Sequence, residues 1–197
     1  SGSWIKVEFN NHRSWVNADR TQTSKEAQVS TEGVNLYQHL ILSNLSGATV
    51  NELNNYLSGK GTLHGMGEAF AEGAREYNVN EAYLVTHAIH ETGHGRSSLA
   101  QGIYVDTNGN PVSNQSNPPT DAVKVYNMFG IAAYDGRETI DGPKYAYQQG
   151  WTTPYKAIVG GAEWIAKNYI HSNSYDQDTV YKMRWNPESM ENLGYAS

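Results

Sequence analysis

The spacing of apolar residues changes along this chain, and each change marks an element. Residues 3–17 run Ser-Trp-Ile-Lys-Val-Glu-Phe, then Asn10-Asn11-His12-Arg13, then Ser-Trp-Val-Asn. Apolar and polar positions alternate on either side of a polar turn, which predicts a β-hairpin. Residues 18–32 are rich in Thr, Ser, Gln and Glu and read as a linker. From about residue 49 the period becomes helical. Thr49-Val50-Asn51-Glu52 has capping-box spacing ahead of Leu53, Tyr56 and Leu57, with Gly59 placed to end the helix. A second helix is predicted over 63–77, and a third from Asn80 as N-cap to about Thr92, with Gly93 as its stop. A short helix follows over 96–101. In 103–112 the pair Asn108-Gly109 lies between apolar residues, which predicts a second hairpin. Residues 113–120 form a Ser/Asn/Pro loop. Thr153-Pro154 opens a later helix with proline in the first helical position, continuing through Ile158, Ala162, Ile165 and Tyr169. Helices around one or two small hairpins predict an α+β domain that is mostly helical.

At 197 residues the chain has room for one well-buried core and an appendage. The expected division is a β-hairpin over 1–20, a linker and N-terminal extension over 21–48, and a catalytic domain over 49–197. No apolar run approaches the roughly 18 to 20 residues that a membrane span requires, so no membrane insertion is expected. Cysteine is absent, which removes disulfides, thiolate metal sites and a cysteine nucleophile together. The opening Ser1-Gly2-Ser3-Trp4 is neither basic nor apolar, so an export signal is expected to have been removed or to lie upstream. A net charge of −6 argues against nucleic acid, whose phosphates need a basic stripe. Fourteen tyrosines and five tryptophans, many in Gly/Asn-rich stretches, suit the apolar faces of sugars, although packing accounts for most of them.

The densest chemistry lies in His87-Ala88-Ile89-His90-Glu91-Thr92-Gly93-His94-Gly95. On a helix, Glu91 follows Leu84, His87 and Ala88 at offsets of seven, four and three, which puts it on their largely apolar stripe. Desolvation disfavours the charged form of a carboxyl, so a Glu held there can keep its proton near neutral pH and give it to a glycosidic oxygen. The two glycines that follow would end the helix and let a long substrate come close. A rival reading is that His90-Glu91-Thr92-Gly93-His94 satisfies H-E-x-x-H, the zinc-protease helix with two histidine ligands and a water-activating Glu. That reading needs helix through the second histidine, which Gly93 and Gly95 weaken. It also needs a third ligand. The extended motif would place Gly at 97 and His at 100, where this chain has Ser97 and Ala100, and no Glu occurs between 91 and 138. The proton-donor reading is therefore preferred, and no metal or other cofactor is expected.

The run from Glu91-Thr92-Gly93 through Gly95, Ser97 and Leu99-Ala100 resembles the acid-bearing motif of glycoside hydrolase family 73, the glucosaminidase domains of bacterial autolysins. Tyr126-Asn127-Met128-Phe129-Gly130-Ile131 resembles the family's groove-lining segment. Ala132-Ala133-Tyr134-Asp135, Gly150-Trp151, the string from Ala157 to Ala162 and the string from Tyr181 to Pro187 are similar to the glucosaminidase domains of staphylococcal autolysins. Gly194-Tyr195-Ala196-Ser197 looks like the start of a further family element whose tyrosine lies near the catalytic Glu. The resemblance covers roughly residues 50–197. The 1–20 hairpin is similar to the final strands of a bacterial SH3-like cell-wall-binding repeat.

The resemblance implies a lysozyme-like fold with a small β-hairpin lobe, and secretion to the bacterial cell wall. It implies cleavage of the β-1,4 bond between N-acetylglucosamine and N-acetylmuramic acid in peptidoglycan glycan strands by a monomer, with Glu91 as general acid. Tyr126 and Tyr134 are candidate sugar platforms. Asn127 and the backbone at Phe129-Gly130 are expected to hydrogen-bond an N-acetyl group, with Asp135 also in the substrate-binding set. The second catalytic group stays open among Asp135, Glu138, Asp141 and the sugar's own acetamide oriented by Tyr195; the acetamide is preferred because no second carboxylate lies in so distinctive a motif. From another class, a non-catalytic glycan-binding module would be expected to have lost the Glu, and Glu91 is present.

Overall fold

Four helices among the described residues start at a side chain that caps them. The computed structural model describes residues 4–9, 12–17, 40–133, 136–173 and 177–184. The chain divides into two compact units, residues 44–168 and residues 1–43 with 169–197.

In the first unit, Thr49 and Glu52 form the expected capping box at the start of α1 (Val50–Tyr56). Asn80 caps α3 (Glu81–Glu91) through Tyr83 N–H at 3.1 Å, and its amide also donates to Asn44 O at 2.9 Å. Ser97 caps α4 (Ser98–Gln101), and Thr153 caps α6 (Pro154–Ile165), which runs on as a π-helical turn over Ala166–Ile170. The helix expected over 63–77 is two pieces, a 3-10 turn Gly61–Leu63 and α2 (Gly67–Tyr77). Gly65, at φ +77°, breaks it. Gly67 then starts α2 against α1, its N–H donating to Asn54 Oδ1 at 2.8 Å.

The hairpin expected at Asn108-Gly109 forms but is short, with Asp106 N–H donating to Asn110 O at 2.8 Å and Val112 N–H to Tyr104 O at 3.0 Å. The Asp106 carboxylate accepts from the N–H groups of Asn108 and Asn110, and the strands meet in a single bridge, Val105 to Pro111. Pro111 has no N–H to extend a ladder. Instead β3 (Ile103–Val105) pairs antiparallel with β4 (Val123–Val125), with Tyr104 opposite Lys124. On the other edge of β3, beside the 110–112 segment, the Gln115 amide donates to Tyr104 O and accepts from Tyr104 N–H, both at 2.8 Å. One helix was not expected from the pattern. α5 (Glu138–Gln148) contains Gly142 and Pro143, both buried, and an added Cβ at Gly142 would lie 3.3 Å from Leu99 of α4.

The core of this unit gathers Leu57, Leu63, Phe70, Leu84, Met128 and Ile158, all fully buried. α2 and α6 pack closely because Gly73 faces Ala162, where a Cβ would come within 2.9 Å. Among the described residues no helix is long and apolar enough to cross a membrane. The architecture is the expected mostly helical α+β arrangement with a two-stranded lobe.

In the second unit β1 (Trp4–Phe9) and β2 (His12–Asn17) form the expected antiparallel hairpin, Trp4 opposite Asn17 and Phe9 opposite His12. Residues 40–42, expected within the linker, are paired: Ile41 bridges Thr179, and Leu42 N–H donates to Asp178 O at 2.7 Å. A five-residue helix, α7 (Val180–Arg184), follows that pairing. The first unit likewise begins at Asn44 rather than at 49. Its first residues are tied down because Ser46 and Ala48 donate their N–H groups to the buried Glu81 carboxylate, each at 2.8 Å.

The turn after α3 gives a sharp test of packing. Gly95 lies at φ +73°, and a Cβ there would come 2.2 Å from Lys60 O, whereas Gly93 at φ +53° has open space. Gly95→Ala is expected to destabilise the fold by about 3 kcal/mol or more. Gly93→Ala carries only the left-handed backbone cost of about 1 kcal/mol. Urea unfolding of the two variants measures the difference.

Candidate active site

Glu91 is the last residue of α3, so its position depends on how that helix ends. Leu84 and Ala88, which precede it on the same stripe, are fully buried. Glu91 stands at the stripe's open end with 39% of its side chain exposed, more accessible than the stripe position predicts. Its Oε1 lies 3.7 Å from Nε2 of His87, one turn earlier. Its Oε2 faces Gly130, where an added Cβ would lie only 3.3 Å away.

The helix stops through Thr92, whose Oγ1 donates to Ala88 O and accepts from Gly95 N–H at 2.8 Å. Gly93, His94 and Gly95 then lie in succession at φ +53°, +63° and +73°. His94 is therefore off the helix and exposed, and the one-face geometry of two histidines that a zinc-protease helix requires is not formed. Among the described residues, no group of three or more His, Asp or Glu is placed to hold a metal ion. The expectation that both glycines open space for substrate is corrected at Gly95. It admits the backbone of residues 60–62, with Thr62 N–H donating to Gly95 O at 3.1 Å.

The second wall comes from residues 126–131. Asn127 is 1% exposed and spent on its own loop: its Oδ1 accepts from the N–H groups of Phe129 and Ile131, and its Nδ2 donates to Ile131 O at 2.7 Å. A side chain so committed fixes the backbone at Gly130. Phe129 is also turned inward. A Cβ at Gly161 would lie 2.2 Å from its ring, and its ring meets His87 edge-on at 5.6 Å. Gly160 makes the same room for the buried Trp151. Tyr126 is half-buried, its ring against Gly102 and 5.7 Å from the Lys124 ammonium.

Residues 67–197 match the Glucosaminidase family, described as mannosyl-glycoprotein endo-beta-N-acetylglucosaminidase. The chain belongs to the glucosaminidase family. This glucosaminidase-family chain is 41% identical over 186 residues to the beta-N-acetylglucosaminidase of Bacillus subtilis (strain 168), covering 92% of this chain and 19% of that protein. It is 39% identical over 196 residues to the bifunctional autolysin of Staphylococcus aureus (strain NCTC 8325 / PS 47), covering 100% of this chain and 14% of that one. It thus spans less than a fifth of the length of either relative. The crystal structure of S. aureus Autolysin E in complex with the muropeptide NAM-L-Ala-D-iGlu matches with a TM-score of 0.61 and 37% identity, over 77% of this chain and 60% of that one. A catalytic glutamate-to-alanine mutant of Autolysin E in complex with the disaccharide NAG-NAM matches at 0.59 and 34%, with the same coverage.

Family membership makes the domain a glycoside hydrolase. Of the carboxylates weighed for its second catalytic role, Glu138 accepts from Gly136 N–H at 2.8 Å. Backbone N–H groups of Glu138 itself and of Gly136 hold its carboxyl below the usual range. Asp141 pairs with Arg137 at 2.8 Å. Tyr134, Asp135 and Tyr195 lie outside the described residues. Two residues near the predicted set escaped sequence reasoning. His87 had a signal in its i,i+4 spacing to Glu91. Lys124, whose ammonium lies 5.4 Å and 5.7 Å from the Tyr104 and Tyr126 ring centroids, had none beyond the strand alternation.

Gly130→Ala is expected to lower turnover about tenfold or more, because the new methyl crowds Glu91 Oε2. His94→Asn, in the exposed turn, should keep turnover within about threefold. Steady-state assays on purified cell walls compare the two.

Proposed function

We propose that this domain is a secreted endo-β-N-acetylglucosaminidase of the bacterial cell wall that cleaves the β-1,4 bond between N-acetylglucosamine and N-acetylmuramic acid, and that it works as a monomer. The observation that carries the reading is the Glu91 carboxyl, offered at an open helix end against a glycine that leaves its outer oxygen uncovered. The complexes of Autolysin E with NAM-L-Ala-D-iGlu and NAG-NAM support glycan strands as the substrate here. In this scheme Glu91 gives its proton to the glycosidic oxygen as the C1–O bond breaks. The acetamide oxygen of the cleaved sugar attacks C1 from the opposite face, and Tyr195 orients that acetamide. Water then opens the ring so formed, with Glu91 taking back a proton. The alternate roles found for the Glu138 and Asp141 carboxylates favour this scheme over one in which either is the nucleophile. Tyr126, Tyr134, Asp135 and the backbone at Gly130 make up the substrate-facing set. In the same reading, residues 1–20 are the remnant of an SH3-like wall-binding module, and attachment to an anionic wall rests on such modules rather than on this acidic chain's own field.

Glu91→Gln, nearly isosteric and lacking only the transferable proton, is expected to lower wall lysis by at least about two to four orders of magnitude with an unchanged fold. Activity within about tenfold of the parent removes Glu91 from the role of acid. Mass spectrometry of the borohydride-reduced digest should find reduced N-acetylglucosamine at each new end, and reduced N-acetylmuramic acid would reassign the bond. NMR before mutarotation should show the β-anomer first, since substrate assistance retains configuration, whereas an α-anomer would point to a water-activating base.

A further inference from the structure

His87 lies one helical turn before Glu91, and its ring is held by aromatic neighbours. Tyr83 is 5.4 Å away between centroids, and Phe129 meets it edge-on at 5.6 Å. The two ring nitrogens have different surroundings. Nε2 faces Glu91 Oε1 at 3.7 Å. Nδ1 is sealed from solvent and has no hydrogen-bond partner among the described residues. The charged groups facing the ring are Glu91 and His90, both on its own helix, while the 126–131 loop presents the apolar edge of Phe129. Burial outweighs the attraction of Glu91, and His90 adds to it, so the imidazole is held neutral below its ordinary titration range.

An imidazolium would need N–H groups on both nitrogens, one of them at the buried Nδ1 with no acceptor among the described residues, which is costly for a charged group. The favoured arrangement is a neutral ring with its N–H on Nε2, on the side that faces the Glu91 carboxyl. We propose that His87 is a positioning residue for Glu91, its Nε2–H directed at Oε1 so that the transferable proton rests on Oε2, the oxygen beside Gly130. As that proton leaves, negative charge builds on the carboxyl and the Nε2–H contact strengthens, so the interaction favours the transition state over the ground state. The inference rests on Glu91 being the acid and adds which oxygen acts and what directs the proton to it.

Ring-nitrogen NMR of the full chain with isotope-labelled histidine tests the placement directly. His87 should be the neutral Nε2–H tautomer at neutral pH and should resist protonation below the ordinary range of an imidazole. An imidazolium or an Nδ1–H tautomer near neutral pH overturns the proposal. His87→Phe keeps a ring between Tyr83 and Phe129 but has no donor. It should melt within about 3 °C of the parent, lower kcat about tenfold or more with KM within about threefold, and move the alkaline limb of kcat/KM to higher pH. His87→Gln, whose amide carries a donor, should recover part of the loss. Parental turnover and pH profile in His87→Phe mean that the ring only packs, which also overturns it. An active Glu91→Gln variant would remove the reading beneath the proposal, whereas an inactive Glu91→Gln beside an indifferent His87→Phe overturns the role of His87 alone.

Discussion

Thr92, fully buried at the end of α3, turns the chain through three successive left-handed residues, and the position of the acid follows from that turn. A right-handed helix continuing one more turn would bury the next residues beside Leu84 and Ala88. Thr92 Oγ1 prevents this by accepting from Gly95 N–H while still bonding Ala88 O. Gly95 and Gly61 then bring two backbones into contact that no side chain could share. Glu91 is thereby the last helical residue, rooted in a rigid stripe yet open at its tip.

The opposite wall depends on one buried amide and two glycines of α6. Asn127 ties residues 129–131 into a fixed curve, and Gly161 accepts the Phe129 ring that anchors it. The same ring touches His87, so α3, α6 and the 126–131 loop share one aromatic contact. A shift in any of them would move Gly130 relative to Oε2.

Local chemistry was legible wherever a residue acts on its own neighbours. Thr49 with Glu52, Asn80, and Thr153 with Pro154 each start a helix where the chain alone indicates one. The family resemblance led to Glu91, and the glycines after it argued against a metal-binding helix. What stayed hidden depends on residues far apart in the chain. Asn108-Gly109 gives a short hairpin, but the longer strand that pairs with β3 begins at Val123, across the Ser/Asn/Pro loop. α5 carries Gly142 and Pro143, which ordinarily break helices, and its glycine is explained only by Leu99 of α4 pressing against it. The hydrogen bonds by which Asn127 ties its own loop have no signal in its neighbours along the chain. Gly95 looked like an opening because the segment it admits lies some thirty residues earlier, at residues 60–62.

The Gln115 fork on Tyr104 bears on how the molecule behaves in company. A two-stranded lobe has bare edges, and a bare edge can recruit a strand from another chain. Here one primary amide, chemically a detached peptide unit, occupies the donor and the acceptor of Tyr104 from within. The lobe carries its own stopper against strand exchange, supplied by this amide together with the 110–112 segment that bonds the same carbonyl.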